Sequence, residues 1–123
     1  MMTEASHVIF EHKTGRYIGE PLENDGRRVL VKILAVVGHP EQGDLHNPGD
    51  PDAPMFHERR ALSYTEKVWI PAQAARPYAG TVPDYRQSLK AALEAEVEKL
   101  ERSKRWTERS LTLLETLRSD YKF

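Results

Sequence analysis

Arg27-Arg28-Val29-Leu30-Val31-Lys32-Ile33-Leu34-Ala35-Val36-Val37 is the stretch on which the fold turns. Val29, Val31, Ile33, Ala35 and Val37 fall on one face of an extended chain, the two-residue period of a strand. Leu30, Leu34 and Val36 leave the opposite face largely apolar too. A strand apolar on both faces is buried on both. In a small antiparallel protein that condition is met when one long, bent strand serves two sheets of a closed barrel. The run therefore predicts a barrel and not a flat meander.

Working outward, Asn24-Asp25-Gly26 sits just before the run and is a strong hairpin signal, because Gly and Asx residues tolerate the positive φ of tight turns. Before it, Val8 to His12 reads as a strand, Lys13-Thr14-Gly15 as a turn and Arg16 to Leu22 as a second strand. Beyond it, Arg59 to Thr65 and Val68 to Ile70 read as two more. Five short antiparallel strands predict an SH3-like barrel over residues 1–77. Between the third and fourth strands, residues 39–57 hold Pro40, Pro48, Pro51 and Pro54 together with Gly43 and Gly49, and no regular element survives that punctuation. Long connections in compact domains are commonly functional, so this loop is the first place to look for a site.

After Pro71 a linker, Ala72 to Val82, contains Arg76-Pro77-Tyr78 and Gly80. Asp84 then reads as a helix N-cap, with Gln87 three residues on completing a capping box. Leu89, Leu93, Val97 and Leu100 form an amphipathic stripe, and Lys90 with Glu94, Glu98 with Arg102 and Glu101 with Arg105 decorate the outer face. A second helical segment, Trp106 to Tyr121, carries Leu111, Leu114, Leu117 and Tyr121 on one stripe, widened by Leu113. Residues 78–123 are thus expected to form a linker and an antiparallel helical pair, giving an α+β protein, mainly β and then α. Ser103 to Arg105 contains neither Gly nor Pro, so one continuous helix of about 35 residues is the alternative. Tyr78 and Tyr85 are expected to dock the linker onto the barrel.

Composition removes several function classes. Eighteen basic against nineteen acidic side chains give a net charge of −1, so no global field draws nucleic acid or an anionic membrane. Absence of cysteine rules out disulfides, a thiolate nucleophile, a Cys-based zinc site and a thioether-linked lipid on these residues. Met1 to His7 has no basic cluster, and Val8-Ile9-Phe10 is too short for a signal core or a span, which predicts a cytoplasmic protein. Any place at the inner face of the membrane would come through a partner.

His39, Asp44, His46, His57 and Glu58 are a ligand set that suits zinc, iron or manganese, but their spacing matches no metal motif and the loop fails the calcium-loop pattern. The expectation is that these histidines bond the loop's own backbone and that no cofactor is needed. Neither a Gly-x-Ser-x-Gly elbow, a His-Glu-x-x-His pair nor a phosphate-binding glycine loop is present, and Asp50 and Asp52 lie exposed between prolines. The chain thus reads as a binding protein and not an enzyme. The competing readings are a metal-dependent hydrolase built on His39, Asp44, His46 and His57, and a small-barrel nucleic-acid binder using Arg27, Arg28, Lys32, Arg59 and Arg60.

Lys13-Thr14-Gly15 with Tyr17-Ile18-Gly19-Glu20, then His39-Pro40-Glu41-Gln42-Gly43-Asp44-Leu45-His46-Asn47-Pro48, Phe56-His57-Glu58-Arg59-Arg60-Ala61-Leu62, Ile70-Pro71, Arg76-Pro77-Tyr78, Val82-Pro83-Asp84-Tyr85 and Ser88-Leu89 keep one order along nearly the whole chain. In this the sequence resembles the kinase-associated protein B family of spore-forming bacilli. The resemblance implies an SH3-like barrel followed by a helical part. It also implies a regulatory role toward a membrane-embedded sensor histidine kinase of the sporulation phosphorelay, supporting its activation or expression, and it carries over no catalytic residues. Members are often named lipoproteins, a point at which a cysteine-free sequence departs from the family. Candidate partner-binding residues are His39, Gln42, Asp44, His46, Phe56, His57, Glu58 and Arg59, with the helical pair as a second surface. A sensor histidine kinase is the expected partner and nucleic acid is not. Self-association of the helical pair would give a homodimer, of which its charged outer face offers no positive sign.

Overall fold

A computed structural model describes residues 6–123, and the reading of the N-terminus as neither leader nor span lies, for residues 1–5, outside them. The order of elements is β1 (His7–His12), β2 (Gly15–Asn24), β3 (Arg28–Gly38), β4 (Lys67–Pro71), a short 3-10 turn (Ala72–Ala74), β5 (Arg76–Tyr78) and α1 (Tyr85–Tyr121). Two compact units divide the chain, Met1–Leu93 and Glu94–Phe123.

In the first unit the strands make one antiparallel sheet in the order β4-β3-β2-β1-β5. Among the described residues β4 and β5 are its two edges and do not pair, so the closed SH3-like barrel expected from β3 does not form. The doubly apolar character of β3 has another cause. Val29, Val31, Ile33 and Ala35 are buried in alternation, but Val36 is buried next to Ala35 and Val37 is exposed. The β2–β3 ladder slips between Arg16 and Tyr17, where Tyr17 pairs with Val36 and Ile18 with Ala35, and such an irregularity reverses which face a residue meets. On the other face Leu34 shares a surface cleft with Tyr64 and the segment Val82, Pro83, Asp84, Tyr85 and Arg86. Chain entering the helix takes the place of a second sheet.

Arg59 to Thr65, expected to be a strand, is not one, and the fifth strand comes from the supposed linker at Arg76–Tyr78. The first of these segments has its backbone groups satisfied elsewhere. The Leu62 N–H donates to the Tyr17 hydroxyl at 3.2 Å, the Tyr85 hydroxyl donates to the Leu62 carbonyl at 2.6 Å, and the Ser63 N–H donates to Glu66 Oε1 at 2.9 Å. Side chains thus do for it what a ladder would do. Arg76–Tyr78 pairs with β1, Val8 facing Pro77, at a sheet edge where a residue without an N–H is tolerated.

The core is Val8, Phe10, Tyr17, Val29, Val31, Ile33, Val36, Ile70 and Ala92. The start of α1 reaches it with Tyr85, Ser88, Leu89 and Ala92, one face at helical spacing. Leu93, assigned to that face with Leu89, is 46% exposed, while the small Ser88 and Ala92 are buried. Ser88 binds the sheet directly, because the buried Val36 N–H, freed where the ladder slips, donates to its hydroxyl at 3.0 Å. That hydroxyl donates in turn to the Tyr85 carbonyl at 2.8 Å. Asp84 caps the helix as its position predicts, its carboxylate accepting from the Gln87 N–H at 3.1 Å.

The helical pair is replaced by a single element, α1, 37 residues long. Ser103 to Arg105 contains neither Gly nor Pro, the residues that break a helix interior, and the helix continues through it.

The hairpin signal at Asn24-Asp25-Gly26 holds. Gly26 has φ +89°, and the Asp25 carboxylate accepts from the Arg27 and Arg28 N–H groups at 2.9 and 2.7 Å, which holds its pKa below the ordinary carboxylate value. At the β1–β2 turn the left-handed residues are Lys13 and Thr14, at φ +47° and +69°, while Gly15 pairs with His12 in the ladder. A β-branched residue in that region stores strain of order 1 kcal/mol or more.

Gly19, central in β2, leaves no room for a side chain, because a methyl would overlap Val31 and lie 2.6 Å from the Lys32 carbonyl oxygen. Gly19→Ala is expected to lower stability by about 2 kcal/mol, read as a reduced urea midpoint with unchanged slope. Tyr17→Phe is expected to cost about 1 kcal/mol by orphaning the Leu62 N–H. Burial, opposed by that N–H, raises the Tyr17 pKa above its ordinary 10.0. The resulting stabilisation is fully present below pH 10.0 and is lost as pH rises through the folded value, so denaturation curves of Tyr17→Phe should fall less steeply in alkali than those of the native chain.

Candidate functional site

The loop of residues 39–57 is ordered by its own hydrogen bonds. Its neck is closed by the bridge between Gly43 and His57, whose N–H groups reach each other's carbonyls at 3.0 and 3.2 Å. Gln42 reinforces it: its Nε2 donates to the Arg59 carbonyl at 2.8 Å and to the Pro40 carbonyl at 3.1 Å, and its Oε1 accepts from the Arg59 N–H at 2.7 Å. Arg59 returns a bond from its guanidinium to the Glu41 carbonyl at 3.2 Å. The strained β1–β2 turn ties the neck to the sheet, because the Glu41 N–H donates to Thr14 Oγ1 at 2.8 Å.

Inside the neck two Asp-led turns fold the chain back. Asp44 accepts from the His46 N–H at 2.9 Å and from Asn47 Nδ2 at 3.0 Å, and Asp50 accepts from the Asp52 N–H at 2.9 Å. The Asn47 amide first, and then the His46 N–H, hold the Asp44 pKa below its ordinary 3.8. Pro40 and Ala53 are buried and anchor the loop by packing. Gly43 lies at φ +111°, a conformation that favours glycine, and a side chain there would crowd the Phe56 ring at 3.1 Å.

These contacts sort the residues proposed from sequence. Gln42 and Asp44 hold the loop's shape, as does His39, whose Nδ1 bonds the adjacent Pro40 carbonyl at 2.9 Å. Arg59 serves the neck with its backbone and its guanidinium. His46, Phe56, His57 and Glu58 are exposed. Among the described residues no three His, Asp or Glu side chains are grouped to hold a metal. Much of the expected basic patch is engaged within the protein. Arg28 stacks on Trp69 at 4.7 Å and pairs with Asp25 at 3.5 Å, and Lys32 pairs with Glu20 at 3.4 Å.

Sequence reasoning missed Leu45 and Met55, which with Phe56 give the loop three apolar side chains between 39% and 58% exposed. The available signal was their presence in a loop otherwise built of Pro, Gly, Asp and Asn, where an apolar residue without a core to enter must face water or a partner.

The sheet, its packed helix start and a backbone-locked loop define a small α+β protein that presents a fixed surface. Residues 12–122 match the family model described as kinase associated protein B, and the chain belongs to that family. It is 47% identical over 111 residues to the kinase-associated lipoprotein B of Bacillus subtilis (strain 168), covering 89% of this chain and 87% of that protein. Its structure is similar to the crystal structure of kinase-associated protein B from Bacillus cereus, with a TM-score of 0.69 and 40% identity over 99% of this chain and 100% of that one.

Gln42→Ala is expected to cost about 1 kcal/mol and to speed amide exchange at Gly43 and His57 while leaving β3 protected. For Asp44 the lowered pKa means that its turn is held above pH 3.8 and released as pH falls through the folded value. A carboxyl-carbon NMR titration should place its midpoint below 3.8, and Asn47→Ala should move it back up.

Proposed function

We propose that this chain is a non-catalytic binding protein that associates with a sensor histidine kinase and supports its activation or expression in the phosphorelay that starts sporulation, with the loop of residues 39–57 as its contact surface. One observation carries the reading: Met55 and Phe56 stand 58% and 56% exposed on a loop whose neck is fixed by Gln42, Arg59 and Thr14. Apolar side chains offered on a pre-ordered backbone bind with little further entropy loss, and aromatic anchors of this kind dominate protein interfaces. His57 and Glu58, exposed and next in the chain, supply polar neighbours for them. Membership of a family named for its association with a kinase supports the choice of partner. Among the described residues no helix is long and apolar enough to cross a membrane. In this reading a place at the membrane's inner face comes through the kinase.

Affinity capture from sporulating cells, with the native chain and a Met55→Ser, Phe56→Ser variant as baits, tests the reading. A sensor histidine kinase is expected on the native bait, reduced at least about tenfold on the variant, since losing apolar anchors of this size costs more than 1.4 kcal/mol. Recovery of no kinase on either bait would remove direct association.

A further inference from the structure

The second unit, Glu94–Phe123, carries a pattern that the loop does not explain. Val97, Leu100, Leu111, Leu114 and Tyr121 lie on one line along α1, and Lys104, Thr107 and Arg118 complete it at strictly alternating steps of three and four residues. That is the seam of a coiled coil, with Val97, Lys104, Leu111 and Arg118 at one core position and Leu100, Thr107, Leu114 and Tyr121 at the other. Its apolar members are 49% to 61% exposed. A single helix gains most of its stability in water by burying an apolar face, and here that face is uncovered.

Charge decides what covers it. Glu94, Glu101, Glu108 and Glu115 recur every seven residues on one flank of the seam, the position that faces the partner helix, the last of them paired within its own helix to Arg118 at 3.2 Å. The other flank holds Glu96, Ser103, Ser110 and Leu117, with no basic residue. A second copy is a poor occupant in either orientation. Packed parallel, Lys104 would meet Lys104 and Arg118 would meet Arg118 in the core, and the Glu row would face a flank without a cation. Packed antiparallel, the Glu rows would face each other. Like charges brought together in this way are the means by which coiled coils reject a partner.

We infer that the α1 seam from Val97 to Tyr121 is a docking surface for a heptad-patterned helix of another protein, one that sets a row of Lys or Arg against Glu94, Glu101, Glu108 and Glu115. The inference stands without the loop reading, since it rests on other residues in the other unit. Val97, Leu100, Leu111 and Leu114 supply the burial and the Glu row supplies partner choice.

The test uses the full chain and two synthetic four-heptad peptides with Ile and Leu in the core, one carrying Lys at both flanks and its twin carrying Glu. In fluorescence anisotropy the Lys peptide is expected to bind with micromolar affinity and the Glu twin at least about tenfold more weakly, the scale of several flanking ion pairs gained or reversed. Glu101→Lys with Glu108→Lys, both at exposed helix positions, should invert that preference while the circular dichroism stays unchanged. By sedimentation equilibrium the chain alone should remain monomeric at micromolar concentration. Equal binding of the twins, binding of neither, or a micromolar dimer of the chain would each overturn the inference.

Discussion

Tyr17 and Tyr85 meet on the backbone of one residue, Leu62, and much of the first unit depends on that meeting. Tyr17 rises from β2 into the core, 1% exposed, and its hydroxyl accepts the Leu62 N–H; Tyr85 opens α1 and its hydroxyl donates to the Leu62 carbonyl. The segment between the loop and β4 meets a strand only at its end, where Thr65 and Glu66 exchange backbone bonds with Ile33, so without the two hydroxyls the half-buried Leu62 peptide groups would be unpaired, each costing about 1–3 kcal/mol. The same pair fixes where the helix begins. With Tyr85 held at Leu62 and its ring tilted against Tyr64, Ser88 falls under the freed Val36 N–H and Ala92 reaches the core.

The loop inherits its rigidity from this arrangement. Arg59, a few residues before Leu62, is clasped by Gln42 through both of its backbone groups, and Glu41 is bonded to a turn whose two residues hold left-handed conformations. Strain at Lys13 and Thr14 is the cost of putting a hydroxyl where the loop's neck needs one. Order in the backbone and exposure in Met55 and Phe56 then coexist, which a flexible loop would not allow, since free apolar side chains would collapse on the nearest core.

Two kinds of helical surface follow each other along α1. The turns from Tyr85 to Ala92 turn one face toward the sheet, with the small Ser88 and Ala92 buried and Tyr85 and Leu89 packed beside them. From Val97 onward the leucines follow a heptad and stay exposed. A change of this kind within one helix marks a change of audience, from the protein's own core to another helix, and the Glu row along the seam narrows which helix that is.

Most of the local structure was legible in the sequence. Alternation placed β1, β2, β3 and β4, the Asn24-Asp25-Gly26 turn announced the hairpin, and Asp84 announced the helix start, because each depends on neighbours in the chain. The string around His39 to Pro48 was distinctive enough to indicate the family. The rest depended on distant partners. Whether Arg59 to Thr65 or Arg76 to Tyr78 became the fifth strand was decided by which could lie beside β1, and by two tyrosine hydroxyls that satisfied the loser. Gln42 and Asp44 hydrogen-bond within the loop while Met55 stands exposed, a distinction that spacing does not encode because it rests on burial and hydrogen bonding across the loop. Sequence by itself determined β1 to β4, the hairpin turn between β2 and β3 and the start of α1, since dihedral preference and periodicity are local. Only the tertiary structure decided the open sheet, the choice of fifth strand and the exposed side chains of the loop, because those are set by what the folded backbone leaves unpaired or uncovered.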